Sequence, residues 1–433
     1  MRTVKGSNLT NDYDIADSNL NQSRSLATPR IIQGASMIAC ICIGAGMLGL
    51  PSAGAGAWTL WSILLLGIAM VAMSASGCCL LEVLQTYDKR VSIASITKDL
   101  LGLKVALVTN LAVYFVGGVL LYAYTTSSGL MIEEFTGLDS RWASILFVAI
   151  CSLSVWHSSI LVSRISVVLI GFVVISFCLI AGGLVFEVEL STLLELDLPI
   201  PEQALYSLSL FPIALASFGY HHNVSTVRDI YQNEHKAQSA IIGGTMLAFI
   251  MYVLWLVAVF GNVPRESFVG IIQQGGNVNI LLSELSNYVQ SPIMNNVVTA
   301  FTASAILSSF ICVGMGVFDY LADLFKFDDS KQGRAKSLAV TFLPPLFASL
   351  VIPFGFLAAL NVAASAAAFW ACIIPALLVI KARSKRKTQG QIETRYKVPG
   401  GNLTLSGILI FGSVVIFIHV SSFTTLIPQF GIN

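Results

Sequence analysis

Gly44-Ala45-Gly46-Met47-Leu48-Gly49-Leu50-Pro51 sits near the middle of an apolar run at about 31–57. A run of that length can cross a hydrocarbon core of roughly 30 Å as a helix. The quoted eight residues are poor helix material, because each glycine costs about 1 kcal/mol against alanine in a helix interior and proline about 3. Irregular backbone at membrane depth persists only where protein or a wet cavity satisfies its N–H and C=O groups. The stretch therefore marks an interrupted membrane helix that faces the interior of a bundle.

Working outward, the whole chain reads as membrane protein. Of its 433 residues, 55% are hydrophobic and only 11% charged, too little charge to cover a soluble surface of this size. Eleven apolar spans can be drawn, at about 31–57, 59–85, 104–132, 142–158, 161–187, 203–225, 238–261, 293–325, 335–354, 355–381 and 403–427. Pro353 and Gly355 supply the break between the ninth and tenth. With the N-terminus inside, 22 of the 24 Lys and Arg fall on the cytoplasmic side, and only Arg141 and Arg265 fall outside. One missed or invented span would scramble that sorting. The expectation is an all-α membrane protein with eleven transmembrane helices, N-terminus in and C-terminus out.

The polar residues 1–30 carry no cleavable signal pattern and read as a disordered cytoplasmic tail. All eight cysteines lie in apolar runs, which argues against a disulfide framework or a metal site. No cofactor is expected. The basic run Lys381, Arg383, Lys385, Arg386 and Lys387 is a topology signal that can touch anionic lipid, and does not indicate nucleic acid. Residues 277–288, in a long outer loop, read as a short helix lying over the outer mouth.

A second interruption matches the first. Span 6 carries Phe211-Pro212 and then Ala216-Ser217-Phe218-Gly219-Tyr220-His221-His222-Asn223. Spans 1 and 6 are five apart, and an odd number of crossings inverts orientation. Spans 1–5 (31–187) and 6–10 (203–381) then form five-plus-five inverted repeats, with span 11 (403–427) appended. Paired broken helices in corresponding halves point to a transporter's central site. Freed N–H groups at Gly44, Ala45, Gly46 and Met47, at the positive end of a half-helix, suit a carboxylate. Freed carbonyls around Ala216, Ser217 and Phe218, continuing to Gly219 and Tyr220, suit an ammonium group. Together they describe a zwitterion site. The competing reading is that both glycine clusters are close-packing motifs.

Three segments carry a resemblance: Gly-Ala-Gly-Met-Leu-Gly-Leu-Pro at 44–51, Ser-Phe-Gly-Tyr-His at 217–221, and Phe-Asp-Tyr-Leu-Ala-Asp-Leu-Phe at 318–325. The chain resembles the hydroxy and aromatic amino acid permease family, and most of all its tyrosine- and tryptophan-specific bacterial members. That family belongs to the amino acid–polyamine–cation superfamily. The resemblance implies an inner-membrane transporter that takes up aromatic amino acids by proton symport with alternating access. It departs from the family pattern where His222 and Asn223 follow His221, in place of a glycine.

Other residues carry two readings each. His221 is either a proton acceptor at the break or a neutral side chain that satisfies broken backbone. Ser308 and Ser309 on span 8 either bond back to their own helix or, as the superfamily implies, help hold Na+. Asp319 and Asp323, four apart on one face of span 8, read as an interfacial pair at an inner gate or as a proton relay. Phe218 and Tyr220, with Tyr114, Tyr122 and Tyr124 on span 3, are candidate aromatic walls. A cation symporter for serine, threonine or another neutral amino acid, with sodium a candidate coupling ion, is the alternative within transport. Channel and intramembrane-enzyme readings lack a ring of charge and an oriented catalytic pair, respectively.

Overall fold

The computed structural model describes residues 30–88, 91–185, 188–195, 200–276, 278–288, 292–352, 363–390, 395–422 and 427–431. The N-terminal tail and the expected break at Pro353 and Gly355 lie outside the described residues. In chain order the helices are α1 (Ile31–Ile43), α2 (Ala45–Gly54), α3 (Trp58–Leu84), α4 (Ile93–Leu101), α5 (Leu103–Thr136), α6 (Ser140–His157), α7 (Ser159–Val185), α8 (Leu190–Leu194) and α9 (Ile200–Ser217). A 3-10 turn at His221–Asn223 leads into α10 (Val224–Tyr231), α11 (Glu234–Phe260), α12 (Ser267–Gln273), α13 (Val278–Tyr288), α14 (Pro292–Phe325) and α15 (Lys331–Val351). The last two are α16 (Ala363–Thr388), with a π-helical turn at Phe369–Ile373, and α17 (Gly401–Ser421).

Local chemistry sets the helix ends. The side chains of Ser92, Asp139, Asn233 and Ser330 accept from backbone N–H groups at the starts of α4, α6, α11 and α15. Gly137, in the left-handed region at φ 71°, closes α5.

Eight helices among the described residues are long and apolar enough to cross a membrane. Expected spans 4, 6 and 9 are helical but not among them. α6 and α9, 18 residues each, are long enough but fall short in hydropathy, α6 carrying Arg141 and His157 and α9 Glu202 and Gln203, and α15 opens with Lys331, Arg334 and Lys336. Large apolar side chains such as Val168, Ile175, Phe417 and Leu403 point outward, as a lipid-facing surface requires. Helix α13 covers the segment expected to lie over the outer mouth and packs on α12 and α2.

The packing repeats when span numbers shift by five. Span 1 (α1) packs on span 7 (α11), and span 6 (α9, α10) packs on span 2 (α3). Span 3 (α5) packs on span 9 (α15), and span 8 (α14) on span 4 (α6). The pairs 2–7, 3–8 and 4–9 map onto themselves. Two five-span units with like packing account for this pattern.

A buried ion cluster ties the end of span 2 to span 10. The Glu82 carboxylate accepts from Arg383 Nε and Nη2, both at 2.8 Å, and from the Val398 N–H at 2.7 Å. Seven of the eight cysteines are buried, and Cys178 is exposed on the apolar outer face.

Candidate functional site

Span 1 is interrupted at a single residue. Gly44 has φ −62° and ψ −95°, off the helical values, and the ladder resumes with a long Leu48 N–H···O=C Gly44 bond of 3.5 Å. Gly46 to Pro51 are helical within α2, so the break is narrower than the sequence suggested. Close packing explains the difference. A Cβ on Gly46 would lie 2.9 Å from Ser217 Cα and 2.6 Å from the Tyr252 hydroxyl. That glycine serves the approach of span 6 rather than local unwinding, so close packing accounts for Gly46 and the interruption is confined to Gly44. Met47 is fully buried beside it. Ala45 opens α2.

Span 6 breaks more fully. Helix α9 ends at Ser217, with Phe218 N–H donating to Leu215 O and Gly219 N–H to Ala216 O, both at 3.0 Å. The Tyr220 N–H then turns to Phe218 O at 3.1 Å. Phe218 is buried and meets the Tyr252 ring edge-on at 5.3 Å. Tyr252, on span 7, was not singled out by the sequence. Its hydroxyl lies 2.5 Å from Cys42 O and 2.7 Å from Ser217 O, joining the two interrupted spans. No local motif marks it. It is one tyrosine in an apolar helix, and only the fold brings it to the breaks.

Beyond the break the chain turns away from this centre. The Tyr220 hydroxyl donates to Met73 O on span 2 at 2.9 Å, and its ring stacks on His221. His221 packs edge-on against Trp370 of span 10, with both ring nitrogens lacking hydrogen-bond partners among the described residues. Asn223 donates from Nδ2 to Cys312 O at 2.9 Å, and His222 and Asn223 lie against Gly316 of span 8. The residues that depart from the family pattern thus fill a span 6–span 8 contact.

Ser309 donates from Oγ to Cys40 O, and Ser308 to Ala305 O at 3.0 Å. A Cβ on Gly44 would lie 3.1 Å from that Ala305 carbonyl. Hydroxyl and carbonyl oxygens of spans 1 and 8 therefore gather beside the span 1 break, the donor set a hard cation prefers.

A polar cleft of about 820 Å³ opens at the end of the bundle that carries Arg164 and Arg334. Gln33, Tyr231, Thr226, Asp319 and Asp323 line it. Asp319 accepts from Thr226 Oγ1 at 2.8 Å. Asp323 accepts from Ser92 N, Ser92 Oγ, Ser95 Oγ and Lys326 Nζ at 2.7–3.1 Å, so it is fixed to helix α4. The other end is clamped. Arg265 donates to Ala55 O at 2.9 Å and Gly56 O at 2.8 Å, and lies over the Phe430 ring at 4.6 Å. Its Nε is 3.6 Å from Glu195. Tyr114 and Tyr122 donate to Val340 O and Ile352 O, so they serve the span 3–span 9 contact, while Tyr124 is buried.

Known proteins share this architecture. A Na+-coupled sialic acid symporter in a substrate-bound outward-open state superposes with a TM-score of 0.60 at 14% identity, covering 93% of this chain and 91% of that one. MhsT, solved in complex with L-phenylalanine, gives 0.62 at 13% identity, covering 92% and 99%. At these identities the likeness shows the fold. Sequence relatives are nearer. A tryptophan-specific transport protein of Shigella flexneri is 37% identical, over 93% of this chain and 98% of its own. A low affinity tryptophan permease of Escherichia coli K12 is also 37% identical, over 92% and 97%. A tyrosine permease of Enterobacter agglomerans is 33% identical, over 93% and 99%. The model of the tryptophan/tyrosine permease family matches residues 27–419, nearly the whole chain from before span 1 to the end of α17, and this multi-pass membrane protein belongs to that family.

Proposed function

We propose that this chain imports an aromatic amino acid, tryptophan or tyrosine, across a bacterial inner membrane by proton symport with alternating access. The observation that carries the reading is the meeting of two interrupted helices, with Gly46 of span 1 packed on Ser217 of span 6. Backbone N–H groups after Gly44 receive the substrate carboxylate, at the positive end of α2. Carbonyls at the end of α9 receive its ammonium, and Phe218 offers an aromatic wall. Relatives named for tryptophan and tyrosine support the side-chain class.

Eleven crossings, with the N-terminus cytoplasmic and the C-terminus periplasmic, follow from the charge sorting. On that orientation the polar cleft opens inward and the Arg265 clamp closes the outer mouth. The outer side is then closed, and the inner cleft stops short of the break residues, none of which lines it. His221 is the coupling candidate, as an imidazole at membrane depth whose nitrogens meet no hydrogen-bond geometry among the described residues. Sodium coupling is the second reading, favoured by the oxygens of Ser308, Ser309 and Cys40 beside the break.

Uptake into vesicles with an imposed proton or sodium gradient, across all twenty amino acids, tests the reading. Expected is tryptophan or tyrosine uptake driven by an inward proton gradient and unmoved by sodium. Saturable uptake of serine or threonine alone would overturn the substrate assignment, and sodium-driven accumulation would overturn the coupling ion.

A further inference from the structure

Tyr252 presents an imbalance at the centre of the molecule. Its side chain is fully buried, and its hydroxyl lies within hydrogen-bond distance of two carbonyl oxygens, Cys42 and Ser217. A phenol carries one proton, so at any moment it donates to one carbonyl while the other faces lone pairs. Cys42 precedes the span 1 break by two residues, and Ser217 is the last residue of α9. The two acceptors thus come from the two interrupted spans. An ammonium group carries three N–H donors and can satisfy both carbonyls together. Only glycine at 46 lets the hydroxyl sit there, since a Cβ would lie 2.6 Å from it.

We propose that the Tyr252 hydroxyl holds the seat of the substrate's ammonium in the empty transporter, and that substrate binding displaces it. Tyr252 then acts as a built-in competitor. It bridges spans 1 and 6 when no substrate is present and sets the affinity for amine-bearing ligands. The inference rests on the amino acid reading above and adds a residue to it.

The test uses the purified full-length protein in lipid nanodiscs, wild type and Tyr252→Phe. Binding is measured for tryptophan, for tryptamine, which keeps the ammonium and lacks the carboxylate, and for indole-3-propionate, which lacks the ammonium. Loss of the competitor removes about one net hydrogen bond from the empty site, which corresponds to roughly 2- to 12-fold. Tryptophan and tryptamine are expected to bind tighter to Tyr252→Phe by that factor, with indole-3-propionate unchanged. Weaker binding of the amines, equal changes for all three ligands, or no change for any of them would overturn the proposal. A purely structural role would shift all three ligands alike. Should Tyr252→Phe not fold, infrared difference spectra of the wild type, ring-labelled at tyrosine, replace it. Tryptophan is expected to shift a tyrosine C–O band that indole-3-propionate leaves in place, and identical spectra would overturn the proposal. If the wild type binds no aromatic amino acid, the substrate reading fails instead, and the comparison is repeated with the amino acid it does bind and that amino acid's deaminated analogue.

Discussion

At residue scale, the site depends on the absence of side chains as much as on their presence. Gly46 admits the backbone of span 6 to within a distance that no Cβ allows. Overpacking at such a contact costs typically 1–3 kcal/mol, and here it also separates the two interrupted spans. Gly46→Leu is expected to abolish uptake while membrane levels of the protein stay near wild type. Immunoblotting of membranes beside transport assays checks both. His221 is a different kind of residue, an ionisable ring buried against Tyr220 and Trp370. If it carries the coupled proton, His221→Asn retains exchange of internal for external substrate but loses accumulation driven by a proton gradient. Gradient-driven accumulation equal to wild type would remove His221 from the coupling role.

At the scale of elements, the ends of the helices are held by polar groups that the apolar spans cannot supply. Glu82 is almost wholly buried, and Arg383 is about a quarter exposed, with Arg386 3.7 Å away. Removing one partner of such a pair leaves an uncompensated charge, a loss of about 3 kcal/mol at the lower end of the buried range. Glu82→Ala is expected to lower the thermal unfolding midpoint in detergent markedly. The double variant Glu82→Leu with Arg383→Met is expected to recover most of the loss, since neither charge is then left unpaired. Asp323 is tied down in a similar way at the polar cleft, where it holds Ser92, Ser95 and Lys326. Its four acceptor bonds favour the gate-anchor reading over a proton relay.

At the scale of the whole molecule, the proposed alternating access requires the Arg265 clamp to release. Burial raises the Glu195 carboxyl above its ordinary value, Arg265 pulls it back down, and Glu266 and Glu202 add to the rise. If opening returns Glu195 to solvent, and so to its ordinary pKa, the carboxyl takes up a proton on clamping. The clamp is therefore favoured at low pH and loosens as pH rises through that raised value, above the usual carboxylate range. Thiol labelling of Ser52→Cys, near the outer end of span 1, with the exposed Cys178 replaced by Ser, reads this opening. Labelling is expected to quicken as the pH is raised through that window. Glu195→Gln is expected to flatten the dependence, and Arg265→Ala to label fast throughout. Labelling that slows with rising pH would contradict the linkage.

The sequence alone was enough for the membrane class, the pairing of interruptions at Gly44 and Ser217, and the family, because hydropathy, charge sidedness and helix-breaking residues are local properties written along the chain. Other features needed the tertiary structure. Gly46 is a contact rather than an unwound turn only because span 6 arrives there. Tyr220 and His221 leave the centre because spans 2 and 10 offer them partners. Tyr252 reaches the site because span 7 packs on span 1. In each case the deciding neighbour lies outside the local sequence, and only packing brings it within a few ångströms.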